Sequence, residues 1–233
     1  MKKMITMFLA LTMIFALAAC SSNQSTTTAT ESTQPNDSEK TESTSIIKSD
    51  SKTLVVYFSM PETKTADNMT QEEDNSTVVI DGEVLGNTQY MAYVIQKNTG
   101  ADIFRIEPKT PYPTDHDTLV DLASNEQAEN ARPAIKDTIE NFEQYDTIFV
   151  GYPNWWGDMP MILYTFFDTY DFSGKTIIPF NTHGGSGFSD TINSIRENEP
   201  NAEVLDGLSI SRNSIQDAEA EIVDWVESLN ITE

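Results

Sequence analysis

Thr147-Ile148-Phe149-Val150-Gly151-Tyr152-Pro153-Asn154-Trp155-Trp156-Gly157-Asp158-Met159-Pro160 is the stretch that decides the fold. An apolar run from Asp146 to Val150 has the length of a buried strand and stops at glycine and proline. Pro160 then suits the first turn of a helix over 159–168. Two of the chain's three tryptophans therefore fall in a loop at the C-terminal end of a strand. In an open α/β sheet that edge is where ligands bind, and paired indoles there suit a flat aromatic one.

Outward from this stretch, strands alternate with helices. Leu54-Val55-Val56-Tyr57-Phe58 is apolar on both faces, as a central parallel strand should be. A helix is predicted over 88–99, with Gly100 just past its end, and Asp102 to Ile106 is the next strand. Further helices are predicted over 117–129 and 190–197, and further strands over 176–180 and 202–210, the last interrupted at Asp206-Gly207. Ser214 and Asp217 read as a capping box before a final helix bearing Ile215, Ala218, Ile222, Trp225 and Leu229, with Trp225 in the core. The pattern predicts an α/β domain with a doubly wound, five-stranded parallel sheet in the order 2-1-3-4-5. Residues 60–86 are too long for a βα loop and read as an insertion beside the ligand edge, with a hairpin turning at Asp81-Gly82.

Three regions precede or make up this domain. Residues 1–20 combine a short basic start, an apolar stretch and Leu17-Ala18-Ala19-Cys20. They are too short to span a bilayer and read as a signal segment. The closing residues resemble the lipobox of bacterial lipoproteins. That resemblance implies cleavage before Cys20, lipid on its thiol and attachment to the outer face of the bacterial cytoplasmic membrane. Residues 21–52 are polar and read as a disordered tether, leaving 53–233 as the folded domain. Nearly the whole formal charge of −23 falls on that domain. Such a surface excludes nucleic acid as a partner and disfavours direct docking on anionic lipid. Cys20 is the only cysteine and there are two histidines, so neither a disulfide framework nor a metal centre is expected.

The loops after the first, third and fourth strands converge on one edge. Ser59 and Gly86-Asn87-Thr88 supply hydroxyls and helix-start amides, a cradle for a monophosphate that needs no lysine. Pro153-Asn154-Trp155-Trp156 supplies an aromatic wall. Asn181-Thr182-His183-Gly184-Gly185-Ser186-Gly187-Phe188 supplies a glycine-rich loop that a planar ligand can approach closely. Cradle, wall and loop together describe a site for flavin mononucleotide, FMN.

In the same order, these segments resemble the three cofactor loops of flavodoxins, above all bacterial flavodoxin-like proteins with a Tyr-Pro-Asn-Trp-Trp segment. The resemblance covers residues 53 to about 212. It implies FMN, with phosphate at Ser59 and Gly86-Asn87-Thr88. It places the isoalloxazine ring against Pro153, Asn154, Trp155 and Trp156, and against Thr182, His183, Gly184, Gly185 and Ser186. Flavodoxins keep the phosphate loop compact, whereas here residues 60–86 split it. Trp155 is the expected stacking residue, with Trp156 either a second cover or packing beneath the loop. Asp158 and the acidic surface predict a low potential for the reduced ring. His183 either donates to the ring or fixes its own loop.

Other chemistries fit less well. Gly184-Gly185-Ser186-Gly187-Phe188 fails the nucleophile-elbow pattern at its last position. Gly185-Ser186-Gly187-Phe188-Ser189-Asp190 places aspartate where a dinucleotide fingerprint needs its third glycine. The sequence assigns no catalytic residue. Three roles stay open: an electron carrier with a redox partner protein, a quinone or small-molecule reductase using NAD(P)H, and a non-redox ligand-binding lipoprotein.

Overall fold

A computed structural model describes residues 52–231. The signal segment, Cys20 and almost all of the tether lie outside the described residues. β1 (Lys52–Tyr57), β4 (Asp102–Arg105), β5 (Tyr145–Pro153), β6 (Thr176–His183), β7 (Glu203–Val204) and β8 (Leu208–Ser211) form one sheet. Its order is β4-β1-β5-β6-β7, every pairing is parallel, and β8 also pairs with β6. β7 lies along the start of β6 and β8 along its end, so together they act as one strand broken at Leu205–Gly207.

Period-two alternation sends side chains to two cores. Leu54, Val56 and Phe58, with Ile148, Val150 and Tyr152, pack under α3 (His116–Ala128), α4 (Met161–Thr169) and α5 (Thr191–Asn198). Val55, Tyr57, Phe149, Ile178 and Phe180 pack under α2 (Asn87–Thr99) and α6 (Glu219–Ser228). Full burial of each large apolar side chain stabilises the fold by about 1.5–3 kcal/mol. Trp225 joins the second core half-buried, edge-on to Phe149 at 5.7 Å. Phe180 lies across Gly151, and a methyl group there would fall inside its ring.

Between β1 and α2 the chain forms α1 (Gln71–Ser76) and an antiparallel hairpin, β2 (Thr77–Ile80) with β3 (Glu83–Gly86). The hairpin turns at Asp81 and Gly82, both with positive φ. α1 was not foreseen. Its Thr70 accepts from the Glu73 amide while the Glu73 carboxylate accepts from the Thr70 amide, a complete capping box.

Several expectations change. The third parallel strand runs on to Pro153 and the fourth to His183. Pro153, Thr182 and His183 are therefore strand residues, and the loop after β6 begins at Gly184. Ladder pairing explains the extension: Tyr152 and Pro153 face Asn181 and Thr182, which in turn face Ser209 and Ile210. The capping box expected at Ser214 does not form. Ser214 has helical backbone angles and caps nothing with its side chain; a 3-10 turn over Ile215–Asp217 precedes α6.

Candidate functional site

A cavity of about 270 Å³ opens at the carboxyl edge of the sheet. Ten of the residues singled out from the sequence line it: Ser59, Asn87, Thr88, Pro153, Asn154, Trp155, Trp156, Thr182, His183 and Gly184. Gly86, Gly185 and Ser186 do not. Gly86 lies behind Ser59, where any β-carbon would collide with the Ser59 hydroxyl, and its amide donates to Gln89 Oε1. Gly185, at φ 133°, gives its amide to His183 Nδ1. Ser186 is engaged through its carbonyl, which accepts from the Ser189 amide.

The polar end of the cavity is built where α2 begins. Ser59, Asn87, Thr88 and Thr182 are all buried there. Thr88 Oγ1 and Thr182 Oγ1 are 2.8 Å apart and share a hydrogen bond. The Ser59 carbonyl accepts from Arg105 Nη2, which fixes the exit from β1. Asn87 Nδ2 donates to the Asn75 carbonyl, while its Oδ1 is buried and meets no donor among the described residues. A buried amide oxygen left in this way costs about 1–3 kcal/mol unless a ligand donates to it. The first turn of α2 also carries amides that no helical carbonyl satisfies.

The aromatic wall divides its labour. Trp155 and Asp158 exchange backbone hydrogen bonds across a tight turn whose central residues, Trp156 and Gly157, both have positive φ. Trp155 is half-buried and packs edge-on to Phe58 at 5.5 Å and to Tyr112 at 5.9 Å. Trp156, at φ 54°, holds a conformation costly for a bulky residue and is 60% exposed. Its Nε1–H donates to the Val120 carbonyl of α3. Both indoles line the cavity, Trp156 as the more exposed of the two and Trp155 packed against Phe58 and Tyr112. Asn154 binds loops to each other: Oδ1 accepts from the Gly157 amide, and Nδ2 donates to the Gly187 carbonyl and Ser189 Oγ.

Across from the indoles, His183 Nδ1 accepts the Gly185 amide, so a neutral ring carries its proton on Nε2. Burial lowers the pKa of His183 and favours that neutral form. Asp158 does not line the cavity; its carboxylate accepts from Tyr164 and from the Met159 amide. Arg212 does line it, close against Gly184. Among the described arginines it is the one whose guanidinium has no acceptor. The sequence reading missed Arg212 and also Met60, Glu62, Asn75, Ser76 and His116 as lining residues. Glu72 of α1 lines the cavity too. The signal for Arg212 lay in its position directly after the last strand, at the same edge as the three loops.

A parallel sheet wound on both faces, with an aromatic cavity at its carboxyl edge, defines the flavodoxin-like class. The flavodoxin family model matches residues 77–229, and the chain belongs to that family. The match starts beyond β1 and α1, so it does not cover Ser59. A candidate flavoprotein of Bacteroides eggerthii is 27% identical, covering 78% of this chain and 99% of that one, at a TM-score of 0.59. One from Bacteroides uniformis is 25% identical, covering 76% and 98%, at 0.58. A Lactobacillus acidophilus flavoprotein solved in complex with FMN shares the fold at 20% identity, covering 71% and 96%, at 0.52. No functionally curated protein matches.

Proposed function

We propose that this chain is an FMN-binding electron-transfer flavoprotein, attached through lipid on Cys20 to the outer face of the bacterial cytoplasmic membrane. Family membership supports the cofactor, and the cavity's donor set fits it. The carrying observation is the polar end at α2, where buried hydroxyls, helix-start amides and the unpartnered Asn87 Oδ1 meet. Ser59 and Thr88 would hold the phosphate without a lysine, and Asn87 Oδ1 would accept from a hydroxyl of the ribityl chain. Trp156 would cover the ring, with His183 and Gly184 at its edge.

When bound, FMN supplies one- and two-electron chemistry. The protein's residues position it and tune its charge. Arg212 bears on that tuning: a guanidinium in the cavity favours a reduced, anionic ring, against the low potential that surface acidity alone would give. The acidic exterior favours a basic redox partner protein. Lipid attachment rests on the segment ending at Cys20. Two measurements on the purified full chain test the proposal. A flavin absorption spectrum should accompany the protein, and stopped-flow mixing with NADH and NADPH should show whether either reduces it. A chain that carries no flavin and cannot be loaded with it would overturn the reading. Mass spectrometry of the membrane fraction should find lipid on Cys20; an unmodified thiol would overturn the anchor.

A further inference from the structure

His116 and Glu62 meet in the lining of the cavity, 54 positions apart in the chain. His116 is the first residue of α3, and Glu62 belongs to the segment between β1 and α1. The two carboxylate oxygens of Glu62 lie 3.0 and 3.1 Å from His116 Nδ1. The Glu62 side chain is only 8% exposed, and the Glu62 amide donates to Ser76 Oγ, so the carboxylate is held in place. The imidazole is 43% exposed. A carboxylate that accepts from Nδ1 keeps a proton there and leaves Nε2 as the atom that gives or takes one. Leu119, Val120, Trp155 and Trp156 line the same cavity, which suits a flat conjugated molecule.

We propose that His116 is a catalytic acid and Glu62 its positioning residue, in the two-electron reduction of quinone-type acceptors. The proposal rests on the FMN reading, with a reduced nicotinamide as the ultimate reductant. The bound cofactor, once reduced, would supply the acceptor with two electrons and one proton. His116 donates the second proton: its Nε2–H bond breaks, an O–H bond forms on the quinone oxygen, and the carbonyl π pair is consumed. The quinone is thereby reduced to a hydroquinone and the nicotinamide oxidised. The neutral imidazole recovers its proton from water.

His116→Gln and Glu62→Gln, on the full chain loaded with FMN, test this with menadione and ferricyanide as acceptors. General acid catalysis predicts a loss of roughly 10²-fold or more in menadione turnover for His116→Gln. Ferricyanide takes electrons without a proton, so its rate should hold. Imidazole in solution should rescue His116→Ala with menadione. In the cofactor-free protein, nitrogen-15 spectra should show the neutral His116 ring protonated at Nδ1 in the parent and a tautomer mixture in Glu62→Gln. Unchanged menadione turnover in His116→Gln, or equal losses with both acceptors, would overturn the proposal. FMN affinity, measured separately on each variant, distinguishes that failure from failure of the cofactor reading.

Discussion

Thr88 Oγ1 sits 2.8 Å from Thr182 Oγ1, a buried hydrogen bond that ties the first turn of α2 to the end of β6. It joins the cradle that follows the first parallel strand to the end of the fourth. Thr88→Val preserves shape and strands the Thr182 hydroxyl, which should cost about 1–3 kcal/mol of stability. The double variant Thr88→Val/Thr182→Val removes both hydroxyls and should recover most of that loss. Urea unfolding of the cofactor-free protein checks this; equal stability of the single variant and the parent would contradict it.

The tryptophans should separate cleanly. Trp155 packs on Phe58 and Tyr112, so Trp155→Ala should cost about 2–4 kcal/mol, somewhat below a fully buried aromatic. Trp156→Gly removes an exposed ring and relaxes a positive-φ residue, so stability should change by no more than about 1 kcal/mol. FMN affinity should fall in Trp156→Gly. Thermal melts with FMN titration check both; a Trp156→Gly variant that binds FMN like the parent would return the stacking role to Trp155.

Much of this arrangement was legible in the sequence, for physical reasons. The runs at Leu54–Phe58, Thr147–Val150 and Thr176–Phe180 are apolar on both faces because helices cover both sides of their strands. The hairpin showed itself through Asp81-Gly82, where positive φ is required. Asn181, Thr182 and His183 misled: polar residues at the end of a buried strand look like loop, yet β8 pairs with them. α1 was signalled only by Thr70-Gln71-Glu72-Glu73, a capping pattern inside the stretch read as an insertion with a hairpin. Glu62 with His116 is a product of tertiary folding that no local spacing encodes, whereas Arg212 could be found only from its place directly after the last strand.

Arg212 sets a third expectation. A charge-assisted contact to a reduced, anionic ring contributes about 1.5–3 kcal/mol, or about 30–60 mV for a two-electron couple. Arg212→Gln should lower the potential of bound FMN by that amount. Equilibrium titration against dyes of known potential checks it; an unchanged or higher potential would place the guanidinium away from the ring.

Glu199, where α5 ends, gives a pH signature remote from the cavity. Burial, with Asp171 and Asp168 nearby, raises its pKa from 4.5 to about 7. The folded chain therefore holds a proton that the unfolded chain releases. Its stabilising effect is full below about pH 4.5 and is lost as pH rises through about 7. Glu199→Gln keeps the neutral shape, so its stability relative to the parent should increase from about pH 5 to about pH 8. Urea midpoints of both proteins across that range check this; a constant difference would contradict it.

The central claim is that the cavity at the carboxyl edge recognises FMN through the cradle at α2 and the wall at Trp155-Trp156. Fluorescence titration of the flavin-free chain tests it most directly, with FMN and riboflavin as paired ligands. The account predicts saturable tryptophan quenching by FMN at micromolar concentration and clearly weaker binding of riboflavin, which lacks the phosphate. No quenching by FMN, or equal affinity for the two, would contradict it.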